Sequence, residues 1–328
     1  MRWPLALLLG LLVNARAATP QQSLGHKMLG TVGIDAGVQS PSGLYVGDRF
    51  MWYGATKLTD RNGDAIPIPG LDMDAFGNML GVGFITRLRT TGPYLSFAAG
   101  APYARLLLSV DDPRTVLDFS GFGDVFVQPA GVGWRGNGYD AVAQYTFYAP
   151  TGKFVPKTGG GVGRGFWTHQ LAAGGAVFRG ENRAQRASAL VSYDLNLKKR
   201  GIDIRRGNTV QVQGGVGVTV LEMLTVGVAG FAMWQVTDDV GADIPAVLRD
   251  LSTRGFGIGP EIGIVIPALR LQADLRFERE LGGRSRPQGQ LLTFGIGRLL
   301  WAPTDVRPMP ESERNALLRV TSPAAAPR

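Results

Sequence analysis

Apolar and polar residues alternate with a period of two over much of the chain. Between Leu269 and Phe277 every second residue is apolar, while the residues between them are charged or amide side chains. The same period occurs in Val210–Val220 and in Ala187–Leu197. Successive side chains of a strand point to opposite faces, so these segments predict β-strands with one apolar and one polar face.

The predicted strands are longer than those of most soluble sheets. Leu224–Thr237 and Ala187–Lys198 keep one phase for twelve residues or more, whereas soluble strands usually have about five or six. Their second face mixes glycine with opposite charges, which a dry core would not accept unpaired. The connections after odd-numbered strands are predicted to be long, and those after even-numbered strands tight. This asymmetry is typical of outer-membrane barrels, whose periplasmic turns are short.

We therefore predict an all-β fold, a transmembrane antiparallel β-barrel of about 12 strands, with about 14 as the alternative. Residues 44–301 form this barrel, and its eleventh strand, Ala268–Glu280, follows the tenth after the single turn residue Pro267. Closure leaves no exposed strand edges. An even strand count places both termini on the periplasmic side.

The two ends of the chain predict further segments. Residues 1–17 resemble a secretory signal peptide, with Arg2, the apolar run Leu5–Val13 and the cleavage motif Ala15–Ala17. The run is about half of the ~20 residues that a membrane-spanning helix needs, which favours cleavage over an anchor. Residues 18–43 contain one more alternating stretch, Thr31–Val38, and we assign them to an N-terminal segment inserted in the lumen. Residues 302–328, rich in Pro and Ala, predict a flexible periplasmic tail.

Composition excludes several kinds of chemistry. The 328 residues include no Cys and only two His, so disulfides, zinc ribbons and cysteine nucleophiles are absent. We predict no metal site and no cofactor. The net charge is +8, but the basic residues are dispersed and export is predicted, which argues against a nucleic-acid partner.

Glycine and tryptophan fit the barrel. The 47 glycines are explained where inward positions are crowded or strands curve. Five tryptophans near predicted strand ends suit the aromatic girdles that mark the membrane interfaces: Trp52, Trp134, Trp167, Trp234 and Trp301.

The polar strand faces supply the candidate site. Opposite charges on neighbouring strands can pair across about 5 Å, and two interpretations stay open. One is a salt-bridge lattice that fills a narrow barrel; the other is a polar wall that guides a solute past an apolar patch. The lumen-lining candidates are Arg186, Asp194, Gln211, Gln213, Phe231, Met233, Glu261, Arg270, Gln272, Asp274, Arg276 and Glu278.

Six short motifs occur in the order found in one known family. They resemble the phenol meta-cleavage pathway transporter-like family of outer-membrane β-barrel proteins. This resemblance implies a channel for hydrophobic compounds in the outer membrane. The motifs are Gly123–Pro129, Tyr148–Gly152, Gly165–Thr168, Tyr193–Asn196, Gln235–Asp239 and Gly257–Pro260.

The resulting hypothesis is an outer-membrane channel for passive diffusion of small hydrophobic, including aromatic, compounds. It is not expected to be an enzyme. One alternative is a structural or anchoring barrel, and a second is a lipid-modifying hydrolase that uses His169, for which no serine and carboxylate partner can be assigned. The expected partners are outer-membrane lipids, the barrel assembly machinery and a small hydrophobic solute, and the sequence leaves the oligomeric state open.

Overall fold

Long antiparallel strands dominate the computed structural model, which describes residues 26, 29–89, 92–111, 114–156, 160–244 and 251–303. The strands of this part are β1 (Gly43–Thr59), β2 (Ala65–Ile66), β3 (Asp72–Arg87), β4 (Tyr94–Asp111), β5 (Arg114–Phe122), β6 (Val125–Arg135), β7 (Tyr139–Ala149), β8 (Thr168–Arg179), β9 (Gln185–Asn196), β10 (Thr209–Val220), β11 (Leu224–Gln235), β12 (Arg254–Ile266), β13 (Leu271–Arg284) and β14 (Pro287–Trp301).

Twelve of these strands form a closed ring. Each ring strand pairs antiparallel with its neighbours, and β1 also pairs with β14, which removes the free edges. The prediction of a twelve-stranded antiparallel barrel is therefore confirmed. The described helices are two 3-10 helices of three residues each, and none is long and apolar enough to cross a membrane.

The strands β2 and β5 lie outside the ring and were not predicted. The two residues of β2 pair with the end of β1. The strand β5 pairs with β4 from Tyr103 to Asp111, beyond the stretch Tyr94–Gly100 of β4 that pairs with β6. The chain thus has fourteen described strands, but β2 and β5 extend the wall at one end and do not widen the ring.

The two ends of the barrel differ in their connections. At the end that we call the short-turn end, three to six residues join consecutive strands, for example between β10 and β11. At the opposite, long-loop end the connections have twelve to eighteen residues. One connection departs from the prediction, because only Ser285 and Arg286 separate β13 from β14.

The start of the eleventh ring strand also differs from the prediction. Residues Pro267–Leu269 form a 3-10 helix, and Arg270 follows with a φ of +51°. Proline lacks the N–H that a ladder needs and favours a tight turn, so β13 begins at Leu271. The prediction that Arg270 lines the lumen from a strand is therefore wrong, since this residue lies in the turn.

Alternate side chains of the ring face outward. Val216 is 57% exposed and Ile262 is 44% exposed, whereas Gln211 and Gln213 are almost fully buried. Four tryptophans are exposed on the outer surface near strand ends, Trp134 and Trp301 at the short-turn end and Trp167 and Trp234 at the long-loop end. This arrangement is typical of a barrel with an apolar band between two aromatic girdles.

Arginine substitutions on the outer and the inner face of the barrel are expected to affect assembly differently. Val216→Arg on the outer face should weaken assembly by roughly 2–4 kcal/mol, because a cation near mid-bilayer faces lipid. Gln272→Arg is the matched control, since Gln272 is exposed and borders an internal cavity. Heat-modifiable gel mobility after refolding measures assembly, and equal yields for both variants would contradict the face assignment.

Candidate functional site

An N-terminal stretch of the chain runs inside the barrel. We call residues 26 and 29–42 the lumen segment. At the long-loop end the His26 ring nitrogens lie 2.7 Å from Thr168 Oγ1 and 2.9 Å from Asp124 Oδ2. At the short-turn end the Gln39 N–H donates to Asp140 Oδ2 at 3.1 Å. The segment therefore crosses the lumen from one end to the other.

Side chains of the wall hold the middle of this segment. The Ile34 N–H donates to Glu261 Oε2 at 3.0 Å, and the Val32 N–H donates to Gln213 Oε1 at 3.2 Å. The Ser188 hydroxyl donates to the Ile34 carbonyl. A segment without regular secondary structure still needs partners for its backbone polar groups, and polar wall residues supply them here.

Close backbone contact with the wall requires glycine at one position in particular. Gly37 has a φ of +74°, and a Cβ atom there would lie 2.5 Å from the backbone nitrogen of Gly175. Glycine alone adopts this conformation without strain. The Ile34 side chain also packs against Gly217 and Gly227, where a Cβ atom would lie within 3 Å of it. Wall glycines thus make room for the segment.

A buried charge cluster lies at the centre of the lumen. Arg276 is 1% exposed and lies 3.1 Å from Glu261 Oε2 and 3.4 Å from Glu278 Oε2. Its guanidinium also donates to the Gly30 carbonyl. One cation thus lies between two carboxylates and holds the lumen segment at the same time.

Beside the segment, toward the short-turn end, lies a cavity of about 490 Å³. Arg49 on its wall makes a bidentate ion pair with Asp274, with N–O distances of 3.0 and 3.1 Å. The other polar lining groups include the amides Gln39, Gln128 and Gln144. The cavity wall therefore combines a neutralised ion pair and amides with two further carboxylates, of which Asp35 pairs with Arg186 and Asp48 accepts a hydrogen bond from Asn78.

Toward the long-loop end the inner wall becomes apolar. Leu29 of the lumen segment packs against a buried cluster of inward-facing side chains. Apolar side chains such as Phe126 and Leu190 also line the cavity, so apolar surface is present in both parts of the lumen. The cluster consists of Met51, Tyr53, Ala55, Met73, Leu106, Leu108, Phe231 and Leu291.

The attachment of His26 combines hydrogen bonds with aromatic packing. Its ring stacks on Tyr148 at 5.1 Å and meets Phe166 edge-on at 4.8 Å. Burial lowers the pKa of His26 below 6.5, although Asp124 opposes this change. Burial by itself would raise the pKa of Asp124, but hydrogen bonds from His26 and from the backbone N–H groups of Arg164 and Gly152 hold it below its usual value. A neutral histidine beside a carboxylate is favoured at pH 7.

Buried cations lie close to this attachment. Burial, together with Arg164 and Arg206, lowers the pKa of Lys199 to about 8. The Lys199 ammonium lies 5.4 Å from the ring centre of Phe154 and 5.9 Å from that of Phe166. The loops at this end therefore place charged groups inside the barrel mouth.

Acidification should loosen the lumen segment at the long-loop end. The folded-state pKa of His26 lies below 6.5, so the unfolded form takes up the proton first, and the attachment loses stability as the pH falls below about 6.5. Hydrogen exchange at Ile34 and Ala36, corrected for the intrinsic rate, should therefore become faster from pH 7 to pH 5. His26→Gln cannot titrate and serves as the control, and an equal pH dependence in both proteins would contradict this role.

The predicted lumen candidates, apart from Arg270, lie on inward-facing strand positions. Asp194, Gln211, Met233, Arg276 and Glu278 are buried, and Arg186 pairs with Asp35 of the lumen segment. Gln272 and Asp274 border the cavity, and Phe231 belongs to the apolar cluster. Gln213 and Glu261 hold the segment.

The sequence patterns did not indicate three polar residues on the other side of the cavity. Arg49, Gln128 and Gln144 lie on β1, β6 and β7, and the alternation in those strands was the signal that could have identified them. His169 faces outward, where its Nδ1 lies 2.7 Å from the Tyr145 hydroxyl, so it is not part of the lumen. Within the described ranges, no group of three His, Cys, Asp or Glu side chains could hold a metal ion.

A family model matches most of the chain. The model of a family described as "Putative MetA-pathway of phenol degradation" matches residues 55–295. No curated protein sequence matches the chain.

Several solved structures are similar to this chain to different degrees. An outer-membrane channel from Pseudomonas putida F1 is similar with a TM-score of 0.69 and 16% identity, over 79% of this chain and 96% of that chain. The transport unit of the autotransporter AIDA-I from Escherichia coli has a TM-score of 0.49 and 11% identity, over 87% and 97%. The toluene transporter TodX from Pseudomonas putida has a TM-score of 0.38 and 11% identity, over 79% and 89%. The first of these shows that the chain has the fold of an integral outer-membrane barrel.

Proposed function

The chain belongs to the family of the MetA pathway of phenol degradation, whose model matches residues 55–295. From this premise we propose that it is an outer-membrane channel for small hydrophobic compounds, including aromatic ones. The solute diffuses passively through the barrel. The observation that carries the proposal is the 490 Å³ cavity inside a closed barrel. A site of this volume is in the usual range for small-molecule pockets.

The two parts of the lumen suit such a solute. In this proposal the apolar cluster around Met73 and Phe231 lies along the path of an aromatic or aliphatic body. The amides of Gln128 and Gln144 and the neutralised Arg49–Asp274 pair offer hydrogen bonds without net charge. A neutral, mainly apolar compound with one or two polar groups matches both parts.

In this proposal the long-loop end faces the cell exterior, because short turns face the periplasm in such barrels. Trp301 ends β14 at the short-turn end, which supports a periplasmic tail. His26, the first described residue, lies at the long-loop end, and the periplasmic N-terminus stays a prediction. The proposed signal peptide 1–17 and most of the tail 302–328 lie outside the described residues. Outer-membrane lipids and the barrel assembly machinery remain the expected partners.

Loss of the protein should slow the uptake of hydrophobic solutes. We expect a deletion strain to take up radiolabelled toluene and phenol more slowly than its parent, because the lipopolysaccharide layer retards apolar compounds. Complementation should restore the rate, and the uptake of a small sugar should be unchanged. Equal uptake across a broad apolar panel, with no conductance of the purified protein in bilayers, would favour the anchoring barrel instead.

The hydrolase alternative has little structural support. His169 faces outward and its recorded hydrogen-bond partner is the Tyr145 hydroxyl. A catalytic triad would need a serine and a carboxylate in line with this histidine. We therefore propose no catalytic residues for this chain.

A further inference from the structure

Three arginines face outward where β12 and β13 reach the long-loop end. Arg254 and Arg284 lie directly opposite each other in the ladder. Their neighbours Gly255 and Gly283 face inward toward the Arg286 side chain, so both arginines point away from the lumen. Arg279 lies between the buried residues Glu278 and Glu280 on β13 and therefore also faces outward.

Among the described residues, these arginines have no counter-charge within ion-pair distance. In the described part of the chain, no carboxylate lies within 4.0 Å of their guanidinium groups, and no side-chain hydrogen bond is recorded for them. Directly opposed like charges on one face destabilise a strand pair. An anion bound between Arg254 and Arg284 would relieve this repulsion.

The position of the three arginines on the outer surface indicates the environment of such an anion. Trp234 lies directly opposite Arg254 in the ladder, and its ring meets Phe256 at 5.5 Å. Toward the short-turn end the outer face continues with exposed apolar residues such as Ile258. Tryptophan marks the level of lipid headgroups, so Arg254 and Arg284 lie where the headgroups of the outer leaflet begin, and Arg279 lies opposite Ile258 at the border of the apolar band.

We propose that Arg254, Arg279 and Arg284 form a binding site for the phosphate groups of a phosphorylated outer-leaflet lipid. The planar guanidinium group matches phosphate with two parallel hydrogen bonds. Two opposed arginines can hold one phosphate between them, and Arg279 lies further along the same strand face for a second. The site lies outside the barrel, so it goes beyond solute transport and does not depend on it.

Titration of the full-length protein with a defined lipid tests the site. The purified protein in detergent is mixed with bisphosphorylated lipid A or with its dephosphorylated form, and bound lipid is counted by native mass spectrometry. We expect tighter binding of the phosphorylated lipid. The double variant R254Q/R284Q should bind it about 25-fold more weakly, since each cation near an anionic membrane surface contributes about fivefold.

Arg298→Gln is the matched control, because Arg298 is an exposed outward arginine of β14 near the short-turn end. It should bind lipid A as the wild type does. Heat-modifiable mobility shows that each variant is folded, and toluene uptake by the double variant should be unchanged, which separates this site from the channel. Equal affinity of the double variant and the wild type, equal binding of the dephosphorylated lipid, or displacement by equimolar inorganic phosphate would each overturn the proposal.

Discussion

Deletion of residues 26–40 is expected to open the barrel and to raise its single-channel conductance several-fold. These residues cross the lumen from His26 at the long-loop end to Gln39 at the short-turn end. A ring of twelve strands is wider than the eight-stranded barrels that side chains alone can fill, so removal of the segment leaves a continuous water-filled path. Planar-bilayer recordings of the refolded protein measure the change.

A single substitution should reproduce part of this effect. Gly37→Val places a branched side chain at a φ of +74° and against the backbone of Gly175, which displaces the segment from β8. Gly77→Val is the matched control, because a Cβ atom at Gly77 would have no neighbour within 4 Å. Unchanged conductance in both the deletion and Gly37→Val would mean that the segment does not limit the pore.

Replacing Arg276 by methionine is expected to lower the free energy of unfolding by about 3–5 kcal/mol, the usual cost of removing one partner from a buried ion pair. Glu261 and Glu278 would then remain inside the lumen without their cation. The Glu278 oxygens have no hydrogen-bond partner in the described structure, so no other group compensates their charge. Urea unfolding in lipid vesicles measures this loss.

Two comparisons make the Arg276 prediction specific. Arg49→Met breaks the Arg49–Asp274 pair, whose side chains are about one quarter exposed, and should cost only about 1 kcal/mol or less. Neutralising the whole cluster with Arg276→Met, Glu261→Gln and Glu278→Gln should recover most of the loss, because no isolated charge remains. A triple variant as unstable as Arg276→Met alone would contradict the electrostatic explanation.

These two predictions concern one physical question, namely how a polar lumen stays closed. The lumen segment satisfies its backbone groups with Glu261, Gln213 and Ser188, and Arg276 links it to the charge cluster. The Arg276 charge cluster therefore lies at the lumen segment, whereas the Arg49–Asp274 ion pair borders the cavity beside it.

The sequence by itself determined the fold class, the ring of strands and the faces of most of them. A period of two determines which side chains share a face, and the face toward lipid must be apolar throughout. The sequence was therefore sufficient to assign Val216 to the outer face and Gln211 to the inner face. Turns depend on a few local residues, and here the prediction was less exact. Three residues after Ile266 form a 3-10 helix that moved Arg270 out of β13, and β13 and β14 meet in a two-residue turn.

Only the tertiary structure decided what lies inside the ring. Contacts such as His26 with Asp124 or Arg276 with Gly30 join residues far apart in the sequence, and no period or spacing encodes such a pair. Which inward residues form the cavity depends equally on where the lumen segment lies, because the segment covers Gln213 and leaves Gln128 and Gln144 open. Alternation assigns a side chain to the inside of a barrel, whereas its neighbour there is set by closure of the ring and by the chain that crosses it.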